Sequence, residues 1–289
     1  MKYLVLFDLH YQLYEERSRE RINHILNIED NFDAVVLGGD NAELSKHLQN
    51  HKNLFKSLRN HFNCPIGFII GNHELWGKSF GFSSTELIND LFPKLAGEYR
   101  LTYLEHNNLI VNGTAFVGTY GHFDYSFLRE GKGVIKEDLL KGKFKLGEKS
   151  NIIWKDRIYM DWEGKGDEEV CASLIDGFES RIINSGKNII SLSHTLPRLT
   201  LNSWEDSPEQ YFMESYSGSK LLGEVLERYG GRYHFCGHTH KRAMDTIGRT
   251  ITLNLGSSNN NLRYAILSGE KECGLLEKEV NFPLIQKIE

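Results

Sequence analysis

Residues 3–10 read Tyr3-Leu4-Val5-Leu6-Phe7-Asp8-Leu9-His10, five apolar residues that run straight into a carboxylate and an imidazole. A short unbroken apolar run fits a strand covered on both faces, as in the middle of an α/β protein. The same grammar recurs down the chain. Ala34–Leu37 leads into Gly38-Gly39-Asp40-Asn41, and Gly67–Ile70 leads into Gly71-Asn72-His73-Glu74. Ile189–Leu192 leads into Ser193-His194, and Tyr233–Cys236 into Gly237-His238-Thr239-His240. Ligands of open α/β sheets bind beyond the carboxyl ends of the strands, so these five ends are expected to converge.

Helical periods separate the strands. Ile22, Ile25, Leu26 and Glu29 form one amphipathic set, and Leu44, Leu48, Phe55, Leu58 and Phe62 form another. Val170, Leu174, Phe178 and Ile182 recur at spacing four, and Leu221, Leu222, Val225 and Leu226 close the series. Asn112-Gly113 between Leu109–Val111 and Thr114–Val117 is a strong signal for a tight hairpin. A further apolar run, Ile251–Leu255, reads as a strand, and Ser268-Gly269 is read as the turn of a second hairpin joining Arg263–Leu267 to Cys273–Glu277. With βαβαβ first and mixed strands after, the expected fold is α/β, two packed sheets with helices outside. No linker or composition break divides residues 1–289, so one domain is expected. Residues 120–167 are the exception. They are glycine-rich, weakly periodic and lysine-rich from Arg129 to Lys149, and they read as an irregular insertion able to cover a site.

Converged strand ends would bring together Asp8, His10, Asp40, Asn72, His194, His238 and His240. Carboxylate, imidazole and amide oxygen are donors that suit Mn, Fe or Zn. Seven side chains with one shared carboxylate suit two ions about 3.5–4 Å apart. Gly38, Gly39, Gly71 and Gly237 are expected to let the backbone turn sharply beside them.

The ordered set D-x-H, G-D-x-x-E, G-N-H-E, a lone histidine after a strand, and G-H-T-H spans residues 8 to 240 and resembles the calcineurin-like metallophosphoesterase signature. Asn254-Leu255-Gly256-Ser257 is also similar to the family. The resemblance implies a four-layer α-β-β-α sandwich of two mixed β-sheets flanked by helices. It implies that Asp8, His10, Asp40 and His240 hold one divalent or trivalent metal ion, and that Asp40, Asn72, His194 and His238 hold the other. His73 would stand beside the phosphate as the catalytic acid, and Glu43 would support the site without binding metal. The implied reaction is hydrolysis of a phosphoester by a hydroxide bridging two metal ions. A small phosphodiester is the favoured substrate, because the resemblance makes His10 a ligand type of many diesterases of the family as well as some monoesterases. A phosphomonoesterase with the same site is the alternative, and a non-catalytic metal-binding scaffold or a nuclease ranks lower.

Composition narrows the partners. A net charge of −5 argues against a general nucleic-acid binder, which needs a basic surface, but admits a small phosphorylated substrate. The N-terminal apolar stretch is broken by Asp8 and reads as too short for a signal-peptide core, and no apolar run is long enough to span a membrane. Cys64, Cys171, Cys236 and Cys273 form no C-x-x-C pair and read as free thiols, so a cytoplasmic protein is expected. Trp76 and His122 are candidate substrate contacts at the site mouth, and Trp154, Trp162 and Trp204 are loop aromatics that could stack on a flat group. The remaining histidines, His24, His47, His51, His61, His106 and His234, are expected mostly at the surface.

Overall fold

The computed structural model describes residues 1–281 apart from 29–30, 45–46, 147–149, 187, 203–205, 259 and 270–273. The first half of the chain forms β1 (Lys2–Leu6), α1 (Glu16–Leu26), β2 (Ala34–Gly38), α2 (Gln49–His61) and β3 (Ile66–Ile69). It continues through α3 (Ser84–Glu86), α4 (Phe92–Tyr99), β4 (Thr102–Tyr103), β5 (Leu109–Val111) and β6 (Thr114–Thr119). The 120–167 stretch holds α5 (Lys136–Lys141), β7 (Lys143–Leu146), β8 (Ser150–Ile153) and α6 (Asp156–Tyr159). After it come α7 (Asp167–Ile183), β9 (Ile189–Ser193), α8 (Pro208–Glu214), α9 (Lys220–Tyr229) and β10 (Tyr233–Cys236). Strands β11 (Ala243–Ile247), β12 (Thr250–Asn254), β13 (Asn261–Ser268) and β14 (Gly274–Asn281) finish the described fold.

Two six-stranded mixed sheets result, in the orders β14-β13-β1-β2-β3-β4 and β11-β12-β10-β9-β6-β5. Strands β1 to β4 run parallel, as do β12, β10, β9 and β6, with antiparallel partners on the flanks. Side chains alternate between faces, and the alternation builds the layers. Tyr3, Val5 and Phe7 join Ala34, Val36, Phe116, Leu192 and Phe235 in an apolar layer between the sheets. Leu4, Leu6, Val35 and Leu37 face the other way, onto Ile22 and Ile25 of α1 and Leu54, Phe55 and Leu58 of α2. On the far side, Ala115 and Val117 pack against Ile175 and Phe178 of α7 and Val225 and Leu226 of α9. Helix, sheet, sheet, helix is the order the sequence implied.

Differences are local. Helix α2 starts at Gln49, so Leu44 precedes it, and Glu29 lies outside the described residues. The first hairpin has its tight turn, with Asn112 at φ 50° and Gly113 at φ 76°, the mirror-image turn that matches strand twist. The second hairpin pairs β13 with β14, with Ser268 facing Gly274, so Ser268 ends its strand rather than standing in the turn. His51 and His234 are buried rather than superficial.

His234 sits on β10 between two serines of β9. Ser193 Oγ donates to the Thr195 carbonyl at 2.6 Å and so accepts from His234 Nε2 at 2.9 Å, while Ser191 Oγ meets Nδ1 at 2.9 Å. That pattern satisfies a neutral imidazole, and burial pushes its pKa down to about 3. The unfolded chain, with an ordinary value of about 6.5, takes up the proton first. Stability from this residue is therefore present above pH 6.5 and is lost as pH falls toward 3, by up to about 1.4 kcal/mol per pH unit. Urea unfolding of wild type and His234→Gln at pH 7 and pH 5 checks this, with the wild type expected to lose more stability on acidification than the variant.

Candidate active site

The five predicted strand ends meet on one side of the sandwich. Asp8 and His10 follow β1, Asp40 follows β2, Asn72 and His73 follow β3, His194 follows β9, and His238 and His240 follow β10. Five of these eight residues have left-handed backbones: Asp8 at φ 52°, His10 at 46°, Asp40 at 46°, His238 at 70° and His240 at 55°. Such conformations cost roughly 1–3 kcal/mol each for non-glycine residues and persist where surrounding contacts over-determine them. Here the loops are laced together. Asp8 N donates to the Gly39 carbonyl, His10 N to the Asp40 carbonyl and Tyr11 N to the Asn41 carbonyl, at 3.1, 2.8 and 3.0 Å. Buried Glu74 accepts from the backbone N–H of Asn41, Ala42 and Gly71 and lies 3.1 Å from His51 Nε2, tying the β2 and β3 loops to one carboxylate.

Of the flanking glycines, only Gly39 has positive φ. Gly71 serves by leaving room, since a Cβ there would lie 2.2 Å from Asp40 Oδ1.

At the centre, Asp40 Oδ2 lies 3.4 Å from His194 Nε2, 3.6 Å from His10 Nε2 and 3.9 Å from His73 Nε2. Asn72 Oδ1 lies 3.1 Å from both His194 Nε2 and His238 Nδ1. Three histidines turn Nε2 inward because Nδ1 is occupied by an oxygen: Glu43 Oε1 for His10, the Gly38 carbonyl for His194 and the Ser257 carbonyl for His240. Fixing one ring nitrogen in this way presents the other as a ligand. His238 instead presents Nδ1 and hydrogen-bonds the Tyr216 backbone. Donor atoms of Asp8, His10 and His240 lie within 4.8 Å of one another, as do those of Asp8, Asp40 and His194. Asp8 Oδ2 and His10 Nε2 are buried and have no hydrogen-bond partner. Orphaned buried acceptors are rare in a folded protein, and these two face each other's cluster with the donor set of a borderline transition metal. The residues fit the two-ion centre.

Charges follow from proximity. Burial alone would raise Asp40, but His194, His73 and His10 outweigh it and hold the carboxyl well below the usual range. Glu43 is likewise held at about 2 against burial by its hydrogen bonds to His10 and His73. His238 is pushed down to about 3 by burial and by His194.

His73 stands apart from the inward-facing rings. Its backbone N–H donates to Asp40 Oδ1 at 3.0 Å, its Nδ1 meets Glu43 Oε2 at 2.8 Å, and its ring stacks on Trp76 at 3.9 Å. Glu43 therefore serves His10 and His73 at once, a double role that G-D-x-x-E alone did not reveal. Trp76 lines the cavity, though its face is spent on His73. His122 is not among the residues lining the cavity: it is fully buried, with Nδ1 3.2 Å from the Tyr120 hydroxyl and Nε2 3.1 Å from Asp167, partners that hold it in the core.

A cavity of ≈ 310 Å³ opens over Asp40, Asn72, His73, His238 and His240. Its other wall is Trp76, Ile152, Ile153, Trp154, Lys155, Asp156 and Met213, mostly from β8 and the turn after it. The insertion thus reaches the site through residues 152–156, and Lys141, Lys143 and Lys145 are not among the lining residues. Trp162 is buried against His122, and Trp204 lies outside the described residues. Asp156 escaped sequence reading, because a carboxylate in an aperiodic stretch carries no local signal of its partners.

The calcineurin-like phosphoesterase family model matches residues 1–242. The chain belongs to that family. Its members are hydrolases acting on phosphoesters, and phosphoester hydrolysis is the activity class of this site. No curated protein matches the chain. Among solved structures, phosphopantetheinyl hydrolase (PptH) from Mycobacterium tuberculosis is similar, with TM-score 0.69, 17% identity and 88% of each chain covered. GAP50, the anchor in the inner membrane complex of Plasmodium, is similar at TM-score 0.50 and 11% identity, covering 97% of this chain and 84% of that one. At these identities the likeness is one of fold. No helix among the described residues is long and apolar enough to cross a membrane.

Replacing Glu74 by Gln turns an acceptor into a donor facing backbone N–H groups. The expected loss is about 2–4 kcal/mol of unfolding free energy, measured by urea denaturation.

Proposed function

We propose that this phosphoesterase hydrolyses small phosphodiesters, with two Mn, Fe or Zn ions held by Asp8, His10, Asp40, Asn72, His194, His238 and His240. The observation that carries the reading is the pair of buried ligand atoms Asp8 Oδ2 and His10 Nε2, without a hydrogen-bond partner inside a ring of imidazoles. When bound, such ions act as Lewis acids that make water nucleophilic at neutral pH and neutralise phosphoryl charge. The remaining work belongs to the chain. Glu43 holds His73 through Nδ1 and Trp76 supports its ring, which leaves Nε2 on the Asp40 side of the cavity. From there His73 gives a proton to the leaving oxygen as the ester bond breaks. Asp40, at the centre of the cluster, serves both cation positions.

The diester preference draws on His10 and on the cavity's second wall. Ile152, Ile153, Trp154 and Met213 offer an apolar surface beside the phosphate position on which the organic groups of a diester can lie. Ile153 stays 44% exposed although apolar, which suits a surface that a substrate covers. Trp154 has one face stacked on Tyr216 at 4.5 Å, so it is held rigid. A cytoplasmic location belongs to this reading too, supported by the free thiols Cys64, Cys171 and Cys236.

Turnover of bis-p-nitrophenyl phosphate and p-nitrophenyl phosphate with added Mn²⁺ tests the reading. The diester is expected to have the higher kcat/KM, with activity lost in Asp40→Asn. A monoester preference would keep the site and overturn the diester assignment, and no turnover of either would overturn the enzymatic reading. His73→Ala is expected to lower kcat about 10²–10⁴-fold while bound Mn²⁺ stays at the wild-type level, measured on the same samples. Trp154→Ala is expected to raise KM for the aryl diester about tenfold with a smaller change in kcat, the loss of one aromatic contact.

A further inference from the structure

Asp156 opens α6 and is 2% exposed. Its Oδ1 accepts from Asn72 Nδ2 at 3.1 Å and from Trp76 Nε1 at 2.7 Å, and its Oδ2 accepts from Trp154 Nε1 at 3.1 Å. All three donors are neutral, and among the described residues no lysine or arginine pairs with this carboxylate. Burying an unpaired carboxylate is costly, and an apolar residue of similar volume would often serve stability better. What the carboxylate offers is directional. It only accepts hydrogen bonds, so the Asn72 amide must turn its nitrogen toward Asp156 and its oxygen away. The oxygen then lies 3.1 Å from His194 Nε2 and from His238 Nδ1. An asparagine amide has the same shape in both orientations, and only this one presents a ligand oxygen to a cation.

The same carboxylate holds two more pieces of the site. Trp76 is the ring on which His73 stacks, and Trp154 is the rigid wall of the cavity. One side chain from the insertion thus touches a cation ligand, the support of the acid and the leaving-group wall. We propose that Asp156 is the positioning residue of this centre, fixing the Asn72 amide with its oxygen toward the cations and locking both tryptophans in register with it. The proposal rests on the two-cation reading and extends it to a residue outside the five strand ends.

Titration of metal-stripped protein with Mn²⁺ tests it, followed calorimetrically, with near-ultraviolet circular dichroism as the check on fold. Asp156→Leu frees the Asn72 amide to rotate, and the affinity of one of the two Mn²⁺ sites is expected to fall about 10–100-fold. Asp156→Leu combined with Asn72→Asp is the decisive variant. A carboxylate at position 72 presents an oxygen in either orientation and needs no anchor, so the lost affinity is expected to return to within about threefold of wild type, a rescue that a merely packing role would not give. Asp156→Asn keeps an acceptor for Asn72 and Trp76 and is expected to hold both affinities within about threefold. The proposal is overturned by unchanged affinities in Asp156→Leu, by failure of the double variant to recover while folded, or, if Asp156→Leu does not fold, by a tenfold loss in Asp156→Asn. Wild-type protein that binds fewer than two Mn²⁺ would overturn the cation reading itself, a signal seen before any variant is made.

Discussion

The Asp40 carboxylate, buried at the end of a central strand and facing three imidazoles, is the contact on which the rest of the site depends. His194, His10 and His73 approach its Oδ2 at 3.4, 3.6 and 3.9 Å. Placing it there requires a left-handed backbone at Asp40 itself and a neighbour, Gly71, with no side chain. It also requires Glu74 beneath, whose carboxylate gathers the N–H groups of both loops. The sheet order supplies the geometry, because β1, β2 and β3 are adjacent and parallel and so deliver Asp8, Asp40 and Asn72 at the same end. The second sheet delivers His194 and His238 the same way through β9 and β10.

Much of this was legible in the chain. Strands covered on both faces must be apolar throughout, so their ends stand out wherever a carboxylate, amide or imidazole interrupts the run. That is why β1, β2, β3, β9 and β10, and every inward-facing donor beyond them, can be read without coordinates. The C-terminal pairing was legible as well, though its turn was not, since alternation fixes which strands pair and says less about how many residues join them. Histidines were harder. His51, His122 and His234 look like any polar residue in sequence, and their burial is decided by partners such as Glu74, Asp167 and the two serines of β9.

The insertion marks the limit of such reading. Asp156 and Asn72 are 84 residues apart, and nothing in the glycines and lysines between Tyr120 and Asp167 announces their contact. Trp76 was legible as a neighbour of the site, but its stacking on His73 was not, since ring contacts leave no local mark in the sequence. A division of labour follows. In the proposed function the strand ends carry the chemistry, while residues 152–156 and Met213, which line the opposite wall of the cavity, would meet the substrate.

In the proposed site these side chains make one centre that would hold two ions across a shared Asp40. Electron paramagnetic resonance of the Mn²⁺-loaded protein, with metal content measured on the same sample, tests it most directly. Two manganese ions per chain and the spectrum of an exchange-coupled pair are expected, since coupling requires a bridging carboxylate or water between the ions. Two uncoupled ions, or a single ion, would contradict it.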